Sequence, residues 1–318
     1  MTSEIIRKIN DIQTYRLHFK DDFWREIAVE ICRRHLLPCA NPKRAAEGEN
    51  IIFFIDDRFI IKIYPSFCRN GYEPERAALE FCASKISITT PEILLTGEFA
   101  GWSYTVMTQI SGTASRELWA KIENRKKFKI ISQLGEAMRE LHSVPAPLEQ
   151  FSLNRNWQEY IRQKAETAVE RQKENGANPE WLESLPSYIA DRIDLLPSDF
   201  TGVFLHGDIH AGNLLLVQKG EQWQINGLID FGDSFCGFHE YEFVTPGVLM
   251  VQGNRELQRE MFLAYGYRES ELGDELRSRL MLLTIFYECA DLRKYALRLS
   301  PEAVNYSLEE LAEAIWKF

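Results

Sequence analysis

Several things are scarce in this sequence, and each scarcity removes a class of protein. No run of eighteen apolar residues occurs in the 318-residue chain, so no membrane-crossing helix is expected. The opening MTSEIIRKINDIQ lacks a basic segment followed by an apolar one, so it does not read as a secretory signal. The six cysteines (Cys32, Cys39, Cys68, Cys82, Cys236 and Cys289) show no short paired spacing. They read as small buried residues of a reducing compartment, neither a disulfide frame nor a zinc site, and a cytoplasmic protein is the expectation. Positive charge is also short: 37 Lys and Arg against 47 Asp and Glu leave a net charge of −10. That balance repels phosphate backbones and disfavours a nucleic-acid partner. It suits a cationic small molecule, or simply keeps the chain in solution. No protein partner is implied, and no repeat or low-complexity run stands out.

What is present is a change of periodicity along the chain. Apolar residues at helical spacing fill 22–37 (DFWREIAVEICRRHLL), and Pro38 ends the run. IIFFID and RFIIKIY then read as two strands of a hairpin over about 50–64, joined at Asp56-Asp57. A helix is expected at about 73–86, then strands at 92–98 and 102–109 with Gly101 at their turn. After Ser111-Gly112, helical periodicity covers 115–143, 155–173 and 179–196, the first ended by the prolines of LHSVPAP. A second short β region spans 202–231, with a turn at Lys219-Gly220, and from about 239 the chain is helical again. The expectation is an α+β protein of two lobes, a small β-rich one over 1–110 and a larger, mostly helical one over 111–318.

The strongest chemical signal is His206-Gly207-Asp208-Ile209-His210-Ala211-Gly212-Asn213, set between apolar strands and followed by Ile229-Asp230-Phe231-Gly232-Asp233. Phosphoryl transfer from a nucleotide needs a carboxylate at the attacking hydroxyl and oxygen ligands for a cation that bridges the phosphates. Asp208 suits the first role. The amide oxygen of Asn213 and the carboxylate of Asp230 suit Mg²⁺, a hard cation that prefers oxygen. His206 is expected to shape this loop by hydrogen bonding, and His142 to be structural.

Weaker signals support the same chemistry. Lys62 interrupts the apolar strand FIIKIYP, so it needs an anionic partner or an edge position. A nucleotide phosphate is the candidate partner, with Glu75 preferred over Glu73 and Glu80 as orienting carboxylate, because its spacing to Leu79 and Cys82 leaves one helical face apolar. The turn Ala46-Glu47-Gly48-Glu49-Asn50 would cover the phosphates, with Gly48 and Asn50 as contacts, although it holds one glycine and no GxGxxG pattern. Met107-Thr108-Gln109-Ile110, by position, would meet adenine through backbone groups. ATP is the expected donor, and the backbone character of those contacts leaves GTP open.

Together, HGDxxxxN and IDFGD resemble the aminoglycoside phosphotransferase family, which shares the protein-kinase-like fold. FIIKIYP, EPERAALEF, YTVMTQISGT and the helix end before SVP agree in kind, so the resemblance covers roughly 20–318. The flanks, DDFWREIA and the C-terminal SLEELAEAIWKF, are further similar to hygromycin B kinases. The resemblance implies that Asp208 is the catalytic base, that Asn213 and Asp230 hold metal, and that Lys62 paired with Glu75 contacts phosphates. Two departures bear on substrate more than on transfer: Gly237-Phe238-His239 stands where the family often has an acid after the glycine, and the usual Tyr-Asp pair is Tyr241-Glu242.

The family also includes kinases of choline, homoserine and other metabolites, so fold and chemistry transfer better than substrate. A cationic aminosugar would need carboxylates around its acceptor hydroxyl. Asp233 is the first candidate. Glu288 and Asp291, read at i, i+3 on one late helix, are the second, with pairing to Arg293 or Lys294 as the plainer alternative. A non-catalytic nucleotide-binding protein is disfavoured because Lys62, Asp208, Asn213 and Asp230 are all present. A protein kinase is disfavoured because no APE motif follows Asp230.

Overall fold

The computed structural model describes residues 2–46, 48–67, 69–83, 85–145 and 156–318. The chain forms two compact units. The first comprises Met1–Ser84, Thr89–Ser111 and Ile229–Asp233, and the second Lys85–Ile88, Gly112–Leu228 and Ser234–Phe318. A single boundary at 110 therefore misses two short exchanges, of which Ile229–Asp233 carries Asp230.

In the first unit, β1 (Pro42–Arg44), β2 (Ile51–Ile55), β3 (Phe59–Ile63), β4 (Ile93–Phe99) and β5 (Trp102–Thr108) make one antiparallel sheet in the order β1-β2-β3-β5-β4. Strand β2 buries Ile51, Phe53 and Ile55 and leaves Ile52 and Phe54 half-buried, the period of two that a strand imposes. The turn after it puts Asp56 and Asp57 at φ of 52° and 54°, a conformation Asp tolerates better than most residues, and the Asp56 carboxylate accepts the N–H groups of Ala40 and Asn41. Helices Thr2–Lys8 and Ile12–His18, which the sequence pattern did not reveal, join Phe23–Arg34 in a core built on Ile6, Tyr15, Trp24, Phe53, Trp102 and Tyr104. The Trp24 indole N–H donates to the His18 carbonyl at 2.8 Å, so the buried ring keeps its polar atom satisfied. Removing a ring packed this way costs about 3–5 kcal/mol.

The second unit is mainly helical, with strands β6 (Thr113–Ala114), β7 (Val203–Leu205), β8 (Leu214–Lys219), β9 (Gln222–Leu228) and β10 (Phe235–Gly237). Strands β6, β8 and β9 form one small antiparallel sheet, and β7 pairs with β10. Its helices include Asn124–Ser143, Trp157–Glu174, Pro179–Ala190, Arg255–Tyr265, Asp274–Phe286, Leu292–Leu299 and Leu308–Ile315. Leu280 to Phe286 are all buried, so the end of that helix is apolar on every side and sits inside the unit. Among the described residues no helix is long and apolar enough to cross a membrane.

Two expected helices are broken. The stretch 115–143 is a short turn of helix at Ser115–Leu118, a 3₁₀ turn at Trp119–Lys121, and a new helix from Asn124. Ile122 and Glu123 are extended, which ends one helix and begins the next. The last helix of the 179–196 stretch stops at Ala190 and gives way to a 3₁₀ turn at Ile193–Leu195.

Candidate active site

In the first unit, β3 carries Lys62 into the interior, in register with Ile52 on one side and Thr105 on the other. The ammonium is buried, and so is Glu75, projected from the helix Arg69–Cys82. Lys62 Nζ lies 2.7 Å from Glu75 Oε2 and 2.8 Å from Asp230 Oδ1. Glu75 is held a second time by the Tyr64 hydroxyl, which donates to Oε2 at 2.9 Å. Burial alone would lower the Lys62 pKa, but the charges of Glu75 and Asp230 outweigh it and hold the pKa above its usual value, so the side chain stays cationic. Glu73 and Glu80 both pair with Arg76 on the surface, which leaves Glu75 as the acid of that helix at Lys62.

Asp230 closes this cluster from the distant segment Ile229–Asp233. It has φ of +67°, in the left-handed region, and its side chain is 53% exposed while the next residue, Phe231, is fully buried. A buried anchor beside an exposed carboxylate held by a lysine fixes where that carboxylate stands. A non-glycine residue in this conformation is the kind of strain that functional sites retain.

In the second unit, the loop between β7 and β8 is organised around a buried acid. Glu242 accepts the backbone N–H of His206 at 2.6 Å and that of Gly207 at 2.9 Å. Its Oε2 also lies 3.4 Å from His142 Nε2, and His142 Nδ1 meets the Tyr265 hydroxyl at 2.8 Å. Gly207 has φ of +84°, which lets the chain turn sharply into Asp208. The Tyr287 hydroxyl donates to Asp208 Oδ1 at 2.9 Å. The other oxygen, Oδ2, has His210 Nε2 and the Asn213 amide nitrogen each at 3.3 Å. The Asn213 amide nitrogen also donates to the Asp208 carbonyl at 2.9 Å, so the amide turns its oxygen away from Asp208. Partial burial pushes the Asp208 pKa up, but hydrogen bonding and charge from His210 and the Tyr287 hydrogen bond prevail and hold it below the usual carboxylate value. The Tyr287 pKa is raised by burial and by the Asp208 charge, so its phenol remains a donor. Gly212 fits against the His210 ring, where a Cβ would stand 2.5 Å from the ring.

The remaining candidates fall in different settings. Met107 is buried at the end of β5. The N–H groups of Thr108 and Gln109 already donate to Glu92 and Arg58 carbonyls, at 2.9 and 3.0 Å. Gln109 Oε1 is buried with no hydrogen-bond partner among the described residues. Gly48, at φ of +133°, and Asn50 sit in the connection from β1 to β2, and Glu47 of that turn lies outside the described residues. Asp233 is exposed at the end of the 3₁₀ turn Phe231–Asp233. Glu288 and Asp291 are not on one helix, as their spacing suggested. The helix ends at Phe286, and Asp291 is the N-cap of Leu292–Leu299, accepting the Lys294 N–H at 2.8 Å. Glu288 pairs with Lys164 at 2.8 Å.

Sequence reasoning passed over Tyr287 and treated Glu242 only as a departure from pattern. The partners of both are remote in the chain, 79 residues for Tyr287 and Asp208 and 36 for Glu242 and His206. The one local hint was an acid placed among the aromatic residues of HEYEF.

The GDP complex of wild-type aminoglycoside 2'-phosphotransferase-IIIa superposes with a TM-score of 0.71 at 17% identity, over 91% of this chain and 97% of that one. The streptomycin–ATP ternary complex of APH(2")-IIa gives a TM-score of 0.60 at 16% identity, over 90% and 97%. At such identities the likeness shows the fold, which is the kinase-like α+β fold of these enzymes. Hydroxylysine kinase of Xenopus laevis is 27% identical over 122 residues, 35% of this chain, and the matched stretch spans 32% of that kinase. The sequence model of the phosphotransferase enzyme family (APH) matches residues 43–279. That match takes in Lys62, Glu75, the Asp208–Asn213 loop and Asp230, and covers well over half of the sequence: the chain belongs to the phosphotransferase enzyme family.

Proposed function

We propose that this protein transfers the γ-phosphate of ATP, with GTP as the alternative donor, to a hydroxyl group of a small molecule. The observation that carries this reading is Asp208, a carboxylate kept ionised and oriented by Tyr287, His210 and Asn213 on a loop that Glu242 pins. Asp208 orients the acceptor hydroxyl and takes its proton. The acceptor oxygen forms its bond to the γ-phosphorus as the bond to the β,γ-bridging oxygen breaks, and that electron pair leaves with the nucleoside diphosphate. Lys62, fixed by Glu75, offers its charge to the nucleotide phosphates. In this reading the carboxylate of Asp230 and the amide oxygen of Asn213 are each hard oxygen donors of the kind that suits Mg²⁺. When bound, Mg²⁺ would neutralise the charge of the transferring phosphates.

The acceptor in this reading is an aminoglycoside such as hygromycin B. It is supported by the family, by the net charge of −10 and by the exposed Asp233. A second reading, a metabolic kinase of a hydroxylated amine or amino acid, is favoured by the similarity to hydroxylysine kinase. A cytoplasmic setting belongs to both, supported by the cysteine spacing, which shows no close pairs.

The test is nucleotide consumption with Mg²⁺ against hygromycin B, other aminoglycosides, hydroxylysine, choline and homoserine. Turnover on an aminoglycoside that disappears in Asp208→Ala supports the first reading, and turnover confined to hydroxylysine or its kin supports the second. Unchanged turnover in Asp208→Ala would remove the proposed mechanism.

A further inference from the structure

We propose that the second unit holds a binding site for a small anionic molecule, one bearing phosphate or carboxylate groups, in the cleft lined by Arg116, Lys127 and Arg298. This goes beyond the transfer reaction and does not rest on it. The cleft has a volume of about 510 Å³ and is also walled by Trp119, Ala211 and Met250. That volume lies in the range of small-molecule sites, roughly 300–1,000 Å³, and exceeds what a single ion fills.

The charge pattern is the main argument. The chain has ten more acidic than basic residues, 47 against 37, yet among the described residues no Asp or Glu lines this cleft. Arg76, Arg162 and Arg279, by contrast, each hold two carboxylates. Among the described residues, Arg116, Lys127 and Arg298 hold none. Glu256 lines the adjoining hollow and not this one. Cations gathered without counter-charge repel one another, and a bound anion relieves that repulsion.

Local structure sharpens the site. Lys127 is half-buried and lies 5.2 Å from the centroid of the Trp119 ring. Burial lowers its pKa, and among the described residues no carboxylate offsets the shift. The Trp119 indole N–H donates to the Met250 carbonyl at 3.0 Å, which fixes one wall. The helix Asn124–Ser143 begins at the cleft, and the carboxylate of its N-cap residue Glu123 makes no capping bond and pairs with Arg125. Arginine offers paired donors that match the oxygens of phosphate or carboxylate, and lysine adds a point charge. The cleft is also joined to the loop that bears Asp208: Ala211 lines it, and the Arg116 N–H donates to the Ala211 carbonyl at 2.8 Å.

The test is calorimetric titration of the intact chain with pyrophosphate and, separately, with citrate, in metal-free buffer at constant ionic strength. Saturable single-site binding is expected, weakened about tenfold or more in Lys127→Gln/Arg298→Gln. It should be unchanged in Arg125→Gln, whose guanidinium pairs with Glu123. Arg116→Gln alone should weaken it by less, and serves if the double variant does not fold. Binding of pyrophosphate alone assigns a phosphate-bearing ligand, and binding of citrate extends the class to carboxylates. No saturable binding of either probe overturns the proposal. So does binding that survives the double variant but is lost in Lys62→Met, because the anion would then be held by the nucleotide-phosphate lysine.

Discussion

The two units solve the same problem, an ionised group out of bulk water, in opposite ways. In the first, Lys62 is balanced by charge: two carboxylates lie within 2.8 Å of one buried ammonium. In the second, Asp208 has no lysine or arginine beside it among the ion pairs of the described residues. It is held by a phenol, an amide and an imidazole. A balanced cluster is rigid and costly to break from either side, because removing one charge strands another. A carboxylate held by hydrogen-bond donors stays ionised at neutral pH, the state in which it can accept a proton.

The largest effect that this contrast predicts is at Asp208 itself. Asp208→Asn should lower kcat by about 10²–10⁴-fold while nucleotide still binds, read by turnover beside a nucleotide titration. Retained turnover would mean that the donor-held carboxylate is not the base. Next comes Lys62→Met, which strands the buried Glu75 and should cost about 3–5 kcal/mol in chemical denaturation. The double variant Lys62→Met/Glu75→Gln should recover much of that loss. A double variant as unstable as the single one would show that charge balance is not what holds the cluster.

The smallest effect is the most discriminating. Tyr287→Phe keeps the ring and removes one donor to Asp208, and should lower kcat about 10-fold with little change in nucleotide KM. The donor favours the ionised carboxylate, so its loss raises the Asp208 pKa, and activity should begin to fall at a higher pH as the solution is acidified. A purely structural role for Tyr287 would leave the pH profile where it was.

The legible parts of the molecule were those whose information is local. The loop His206–Asn213 and the segment Ile229–Asp233 are contiguous, and Lys62 stood out because a strand has few ways to bury an ammonium. Glu75 could be separated from Glu73 and Glu80 by helical phase, and the three do part company in the structure. Tyr287 could not be read, because its meaning depends on a partner 79 residues away. Glu288 and Asp291 were misplaced for the reverse reason. The run LMLLTIFYECADLRKYA is apolar and periodic enough to look like one helix, although Asp291 ahead of Leu-Arg-Lys is a usable N-cap signal.

Asp230 also bears on how such a protein can be cut and recombined. The lysine that needs it is encoded in the first fifth of the chain, and Asp230 itself lies beyond β9 of the other unit. A fragment ending at residue 111 would keep Lys62 and Glu75 and lose the second carboxylate of their cluster. A chimera joined at that point would import a foreign segment into the same place. The folded unit and the contiguous stretch of sequence are different objects here, so exchange between relatives must carry Ile229–Asp233 together with the N-terminal sheet to keep a working cluster.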